Sequence, residues 1–134
     1  MRKLNRKFGA LDSQVQHAPS KEQKMIGYVT IGVNDMERAK TFYAGLFAEK
    51  GGKVVIDSGR IAFISVAKGQ PMVAVCEPYD KKGPAPGNGV MLAFTADSKE
   101  EVDQMHARAL DLGATDDGAP GQRIPRPVLW GLCP

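Results

Sequence analysis

The chain has 134 residues, 43% hydrophobic and 25% charged, which suffices for one domain with its own core and gives no reason to expect two. It holds no apolar run of membrane-spanning length, and its basic start lacks an apolar signal core, so a soluble, cytoplasmic protein is expected. The net charge of +3 is concentrated at one end: residues 1–24 carry six Lys or Arg against Asp12 and Glu22, while the remainder has 12 basic against 13 acidic residues, an unpromising balance for nucleic-acid binding.

Residues 1–24 are polar and without sustained periodicity, and they read as a flexible basic extension. The first strand is expected over residues 26–33, with Val29, Ile31 and Val33 on one face and Tyr28, Thr30 and Gly32 on the other. Asn34 or Asp35 then caps a helix over residues 36–48, whose Met36, Ala39, Phe42, Tyr43, Leu46 and Phe47 recur at helical spacing before Gly51-Gly52 ends it.

Three short strands follow over residues 53–57, 60–66 and 72–77, separated by the turn formers Asp57-Ser58-Gly59 and Lys68-Gly69-Gln70-Pro71. Residues 78–89, rich in Pro, Gly and Lys, can be neither helix nor central strand. The pattern then restarts. Residues 90–96 read as a strand, and Asp97 or Ser98 as a cap with Glu101 as its capping-box partner. Val102, Met105, Ala109, Leu110 and Leu112 mark a second amphipathic helix stopped by Gly113. Placing Tyr28 on Met91 aligns strand with strand, cap with cap and helix with helix, an architectural repeat with little residue identity.

The run from Val29 to Tyr43, with Thr30-Ile31-Gly32-Val33 leading into a helix that carries Phe42-Tyr43, resembles the opening strand and helix of the vicinal oxygen chelate superfamily. This is the glyoxalase, bleomycin-resistance and extradiol-dioxygenase group. The stretch from Cys76-Glu77-Pro78-Tyr79-Asp80 through Pro86-Gly87-Asn88-Gly89 is similar to the inter-module connection of a bacterial, glyoxalase-like subgroup. The resemblance implies an α+β fold of duplicated βαβββ modules whose strands curl into a cup, with the domain spanning residues 25–123 and its second module incomplete.

Metal-dependent members of that superfamily place His, Gln or Glu on the cup-facing side of the first and last strand of each module. A divalent ion there polarises a substrate with two neighbouring oxygens. Here the matching positions fall on Tyr28, Met91 and Ala74, none of which suits a hard divalent ion. Glu77 is an odd three residues from Ala74 and belongs on the opposite face unless a bulge intervenes. No metal and no cofactor are therefore expected.

The fourth donor would come from a final strand that is missing. Where the family continues into a strand resembling Phe-Tyr-Gly-Ala-Tyr, residues 124–134 carry Pro125 and Pro127 and then Val128-Leu129-Trp130-Gly131-Leu132-Cys133. Codons for this run such as GTT CTA TGG GGC CTA TGT, read one base later, encode Phe-Tyr-Gly-Ala-Tyr. A divergent, non-native tail from a shifted reading frame is expected, and it should not form a closing hairpin because its prolines remove ladder donors.

The expected cup lining is Tyr28, Thr30, Phe63, Met72, Met91 and Ala93, a set of aromatic, thioether and small groups suited to a partly apolar small molecule. Such side chains can equally fill the cup as core. His106 reads as a solvated or helix-packing histidine, and Cys76 and Cys133 as free thiols. Gly87-Asn88-Gly89 lacks the Lys-Ser/Thr of a phosphate loop and reads as a turn.

Two functions fit this reading. One is metal-independent binding of a small organic molecule. The other is a lyase, isomerase or dioxygenase of the same superfamily, degenerate or completed by a partner chain. A homodimer is expected to cover the apolar face left by the missing strands, with no nucleic-acid or membrane partner.

Overall fold

A computed structural model describes residues 24–122. The expectations for the basic extension up to residue 23 and for the 124–134 tail lie outside the described residues. The elements are β1 (Tyr28–Gly32), α1 (Met36–Leu46), a 3-10 turn (Ala48–Lys50), β2 (Lys53–Asp57), β3 (Ile61–Ser65), β4 (Met72–Cys76) and α2 (Lys99–Asp111). The four strands form one sheet in the order β1-β4-β3-β2, with β1 parallel to β4 and the other pairs antiparallel. The fold is α+β, one whole βαβββ module followed by part of a second.

Strand alternation divides the sheet into two faces. Val29, Ile31, Val54, Ala62, Ile64, Val73 and Val75 belong to the apolar clusters that also hold Ala39, Tyr43, Leu46 and Phe47 of the α1 region. Tyr28, Thr30, Phe63, Met72, Ala74 and Cys76 stand on the opposite face by the registers Tyr28↔Met72, Thr30↔Ala74, Gly32↔Cys76 and Phe63↔Ala74.

The sequence pattern breaks once, at Val55, where a bulge lets the β2–β3 register jump from Val54↔Ile64 to Ile56↔Phe63. Beyond it Ile56 is carried to the Phe63 face and Asp57 to the helix side. There Lys40 of α1 donates to the Asp57 carboxylate at 2.7 Å and also pairs with Glu37. Each partner holds the other charged. Hydrogen bonds to Asp57 and then Glu37 raise the Lys40 pKa, while Lys40 and then the Gly59 N–H lower that of Asp57.

Helix α1 starts where the sequence indicates, with the Asp35 carboxylate accepting from the Arg38 N–H at 2.9 Å. It stops two residues earlier than expected, because the chain tightens into the 3-10 turn before Gly51 takes φ 79°. Gly52 follows with its N–H on the Phe47 carbonyl at 2.8 Å, so close that an added Cβ would lie 2.4 Å from the Phe47 Cβ.

The strand expected over residues 90–96 is not formed; no ladder joins this segment among the described residues. Its alternation survives nonetheless, with Leu92 and Phe94 packed against the core and Met91 and Ala93 exposed. The side-chain pattern is that of a strand, but a strand needs a neighbour to accept and supply hydrogen bonds, and none is present among the described residues.

What holds the second half in place is side-chain packing. The Phe94 ring meets Phe47 edge-on at 4.8 Å, and Ala109 and Leu112 join the same cluster. Arg108 pairs with Glu49, and Lys50 with Glu101 at 2.6 Å, so the 3-10 turn is pinned to α2 by two ion pairs. The Ser98 hydroxyl caps α2 by accepting from the Glu101 N–H at 3.1 Å, while the Glu101 carboxylate reaches back to the Asp97 N–H.

Candidate functional site

Four of the six expected cup residues are brought together on the sheet face away from the helices. Tyr28 and Phe63 stand on strands either side of β4, yet their rings meet edge-on with centroids 5.1 Å apart, bridging the central strand. Thr30 and Met72 neighbour them in register. Ala74, between Thr30 and Phe63, is fully buried, whereas Tyr28 stays 53% exposed. The result is an open, mostly apolar floor with a phenol and a hydroxyl on it.

Met91 and Ala93 are not part of that sheet. They lie exposed on a segment without a ladder, Met91 at 58%, and among the described residues the cup wall expected from the second module is not built as a ladder. Cys76 shares the floor by register and is half-buried. Glu77 lies just past β4, where its N–H donates to the Arg60 carbonyl at 2.9 Å and its own carbonyl accepts from the Arg60 guanidinium at 3.1 Å. It acts as a strand-end residue. His106 packs at 15% side-chain exposure, its Nε2 3.4 Å from the Asp116 carboxylate.

Tyr28, Ala74 and Met91, the positions that the resemblance matches to metal donors, carry a phenol, a methyl group and a thioether. Among the described residues no three His, Cys, Asp or Glu side chains converge. The floor residues described do not themselves fit a divalent-ion centre.

At the end of the floor where β1, β2 and β4 begin, a cleft of about 680 Å³ opens. Val55, Ser65 and Met72 line it together with Lys24, Lys53 and Lys68. The Lys24 ammonium donates to the Gly69 carbonyl at 2.7 Å and so ties the β3–β4 loop to the chain entering β1. Sequence reasoning missed this cleft. Strand alternation could have placed Lys53 beside Ser65, but the long-range Lys24–Gly69 bond has no local signal.

The profile of the Glyoxalase/Bleomycin resistance protein/Dioxygenase superfamily matches residues 25–126. The chain belongs to that superfamily. Among solved structures it is similar to a glyoxalase/bleomycin resistance protein from Albidiferax ferrireducens, at 30% identity and a TM-score of 0.65, over 75% of this chain and 82% of that one. A hypothetical protein from S. aureus shares the fold at 24% identity and a TM-score of 0.53, over 76% and 80% of the two chains. No curated protein matches the chain. Among the described residues no helix is long and apolar enough to cross a membrane.

Proposed function

We propose that this glyoxalase/bleomycin-resistance-type domain binds a small, partly apolar organic molecule on the Tyr28–Phe63 floor without using a metal ion. The observation that carries this reading is Ala74. It sits fully buried at the centre of the floor, at the position that the family resemblance matches to a metal donor, and a methyl group supplies none. An aromatic pair, a thioether and a hydroxyl offer contact area and one or two hydrogen bonds, which is the chemistry of holding a ligand.

A second copy of the chain is the proposed cover for this open face. Exposed Tyr28, Ile56, Val90 and Met91 support that reading, since such side chains are commonly enclosed by a partner or a ligand.

The test is elemental analysis of the full chain purified without chelator, paired with titration of the neutral fluorophore phenylnaphthylamine. The expected result is far less than one divalent ion per chain together with saturable fluorophore binding, weakened by Tyr28→Trp. About one tightly held ion per chain, or no saturable binding, overturns the reading.

A further inference from the structure

The turn that leads into residues 90–96 sets an exposed side-chain amide beside an unhindered backbone nitrogen. Of the chain's three asparagines, Asn5, Asn34 and Asn88, Asn88 alone precedes a glycine. A following residue without a Cβ leaves its amide nitrogen unshielded, and it permits the backbone rotation that brings that nitrogen to the asparagine side chain.

Asn88 and Gly89 are the central residues of a turn closed by the Val90 N–H on the Gly87 carbonyl at 3.4 Å, and both are exposed. Gly89 takes φ 80°, the left-handed conformation of the third residue in a type II turn. Its chain neighbours aside, an added Cβ at Gly89 would meet nothing within 4 Å, so no other part of the fold blocks the approach. Among the described residues the Gly89 N–H has no acceptor, whereas Gly59 and Gly118 donate theirs to the Asp57 and Asp116 carboxylates at 2.9 Å.

From this juxtaposition of an exposed asparagine amide with an unhindered, uncommitted glycine nitrogen, we infer that Asn88-Gly89 is a site of spontaneous deamidation and isomerisation. The Gly89 nitrogen gives its proton to a solvent base and bonds to the Asn88 Cγ. The Cγ–Nδ2 bond breaks, Nδ2 takes up a proton and leaves as ammonia, and a succinimide ring remains. Water then opens the ring. Cleavage between the ring nitrogen and Cγ restores the original main chain with aspartate at position 88. Cleavage between that nitrogen and the main-chain carbonyl carbon gives isoaspartate, with the main chain running through Cβ. The net change consumes a water and releases an ammonia, with no oxidation or reduction.

Either product puts a negative charge just ahead of the segment whose Leu92 and Phe94 pack on the core. Isoaspartate also lengthens the backbone by a methylene between Gly87 and Val90.

The experiment incubates the full chain in mildly alkaline buffer and follows it by proteolytic peptide mapping with mass spectrometry. A gain of about one dalton is expected in the peptide that holds Asn88, resolved by chromatography into aspartate and isoaspartate forms. Its rate should rise with pH, because the attacking amide must lose its proton. Asn34 is the internal control. It is exposed too, but Asp35 follows it, held by its own cap on the Arg38 N–H, and it should stay unchanged over the same interval. Because an exposed turn opens at little cost, the rate at Asn88 in the folded chain should lie within about threefold of that in urea. Gly89→Ala should slow the reaction severalfold in urea, where differences in folding play no part.

Conversion in urea but not in the folded chain overturns the site, since the fold would then protect it. Aspartate without isoaspartate overturns the ring-closing route. Equal rates at Asn34 and Asn88, or no slowing by Gly89→Ala, would remove the glycine from the argument and overturn the assignment.

Discussion

The ring of Tyr28 meets the ring of Phe63 edge-on across β4, two residues 35 positions apart in sequence joined over a strand that belongs to neither. Such a pair contributes about 0.5–1.5 kcal/mol beyond the area it buries. Phe63→Ala should therefore cost about 1–3 kcal/mol in urea denaturation, below the range for a fully buried ring because Phe63 is only half-buried. Tyr28→Phe keeps the ring and should change stability by less than about 0.5 kcal/mol. An equal loss from both substitutions would mean that the phenol hydroxyl matters and the ring contact does not.

Gly52 has no room for a side chain. An added Cβ would meet the Phe47 Cβ at 2.4 Å and its carbonyl oxygen at 2.7 Å, and Phe47 is buried. Gly52→Ala must displace Phe47 or open the turn, and it should destabilise the protein by about 1–3 kcal/mol. The ring resonances of Phe47 and Phe94 should shift together in the NMR spectrum. A variant as stable as the parent would show that the 3-10 turn yields freely.

Acid should weaken the fold through two carboxylates. Lys40 and then the Gly59 N–H depress the Asp57 pKa; Lys50 and then the Asp97 N–H depress that of Glu101. A carboxylate depressed in the folded state adds stability above its unfolded value of about 4, and that contribution is lost as pH falls through the lower folded value. Lys40, raised by the same pair, adds stability that persists below its unfolded value of about 10.4 and is lost as pH rises through the folded one. Thermal melts between neutral pH and pH 2 should show a smaller acid-induced drop in Tm for Asp57→Asn and for Glu101→Gln than for the parent. Identical slopes would assign the acid limb to other groups.

Phe94, edge-on to Phe47, is one of the contacts that hold the second half of the chain against the first, beside Ala109, Leu112 and two ion pairs to α2. Phe94→Ala should cost about 2–4 kcal/mol. Hydrogen exchange should accelerate in α2 well before it does in β3 and β4, whose ladders do not depend on that contact. Uniform acceleration through the whole chain would show instead that α2 and the sheet open as one unit.

The first module was legible in the sequence because each of its signals is local. Val29 and Ile31 alternate, Asp35 caps, Ala39, Phe42, Tyr43 and Leu46 recur at helical spacing, and the observed ends fall within two residues of those expected. The bulge at Val55 was not legible, since it answers to the pairing of Ile56 with Phe63 and of Lys40 with Asp57 across the fold. Residues 90–96 carry a strand's alternation, but sequence period reports which side faces the core and says nothing of whether a neighbouring strand exists. Alternation put Tyr28, Thr30 and Met72, and less directly Phe63, on one face of their strands, and the family resemblance marked that face as the cup. The lysine cleft was not legible, because Lys24, Lys53 and Lys68 meet only once the sheet is folded.

The parallel pairing of β1 with β4 sets an order of events during synthesis. Tyr28 finds its partner in Met72, so everything from α1 to β3 must leave the ribosome before β1 has a strand to join. The β2–β3 hairpin can close first, while closing the longer loop brings a larger entropic cost and a slower step. Until then Val29 and Ile31 have no sheet behind them, and the nascent chain presents a short apolar strand that a chaperone or a neighbouring chain can capture. Folding yield from the ribosome should therefore depend on how quickly translation passes Cys76, the residue at which the last rung of the sheet becomes available.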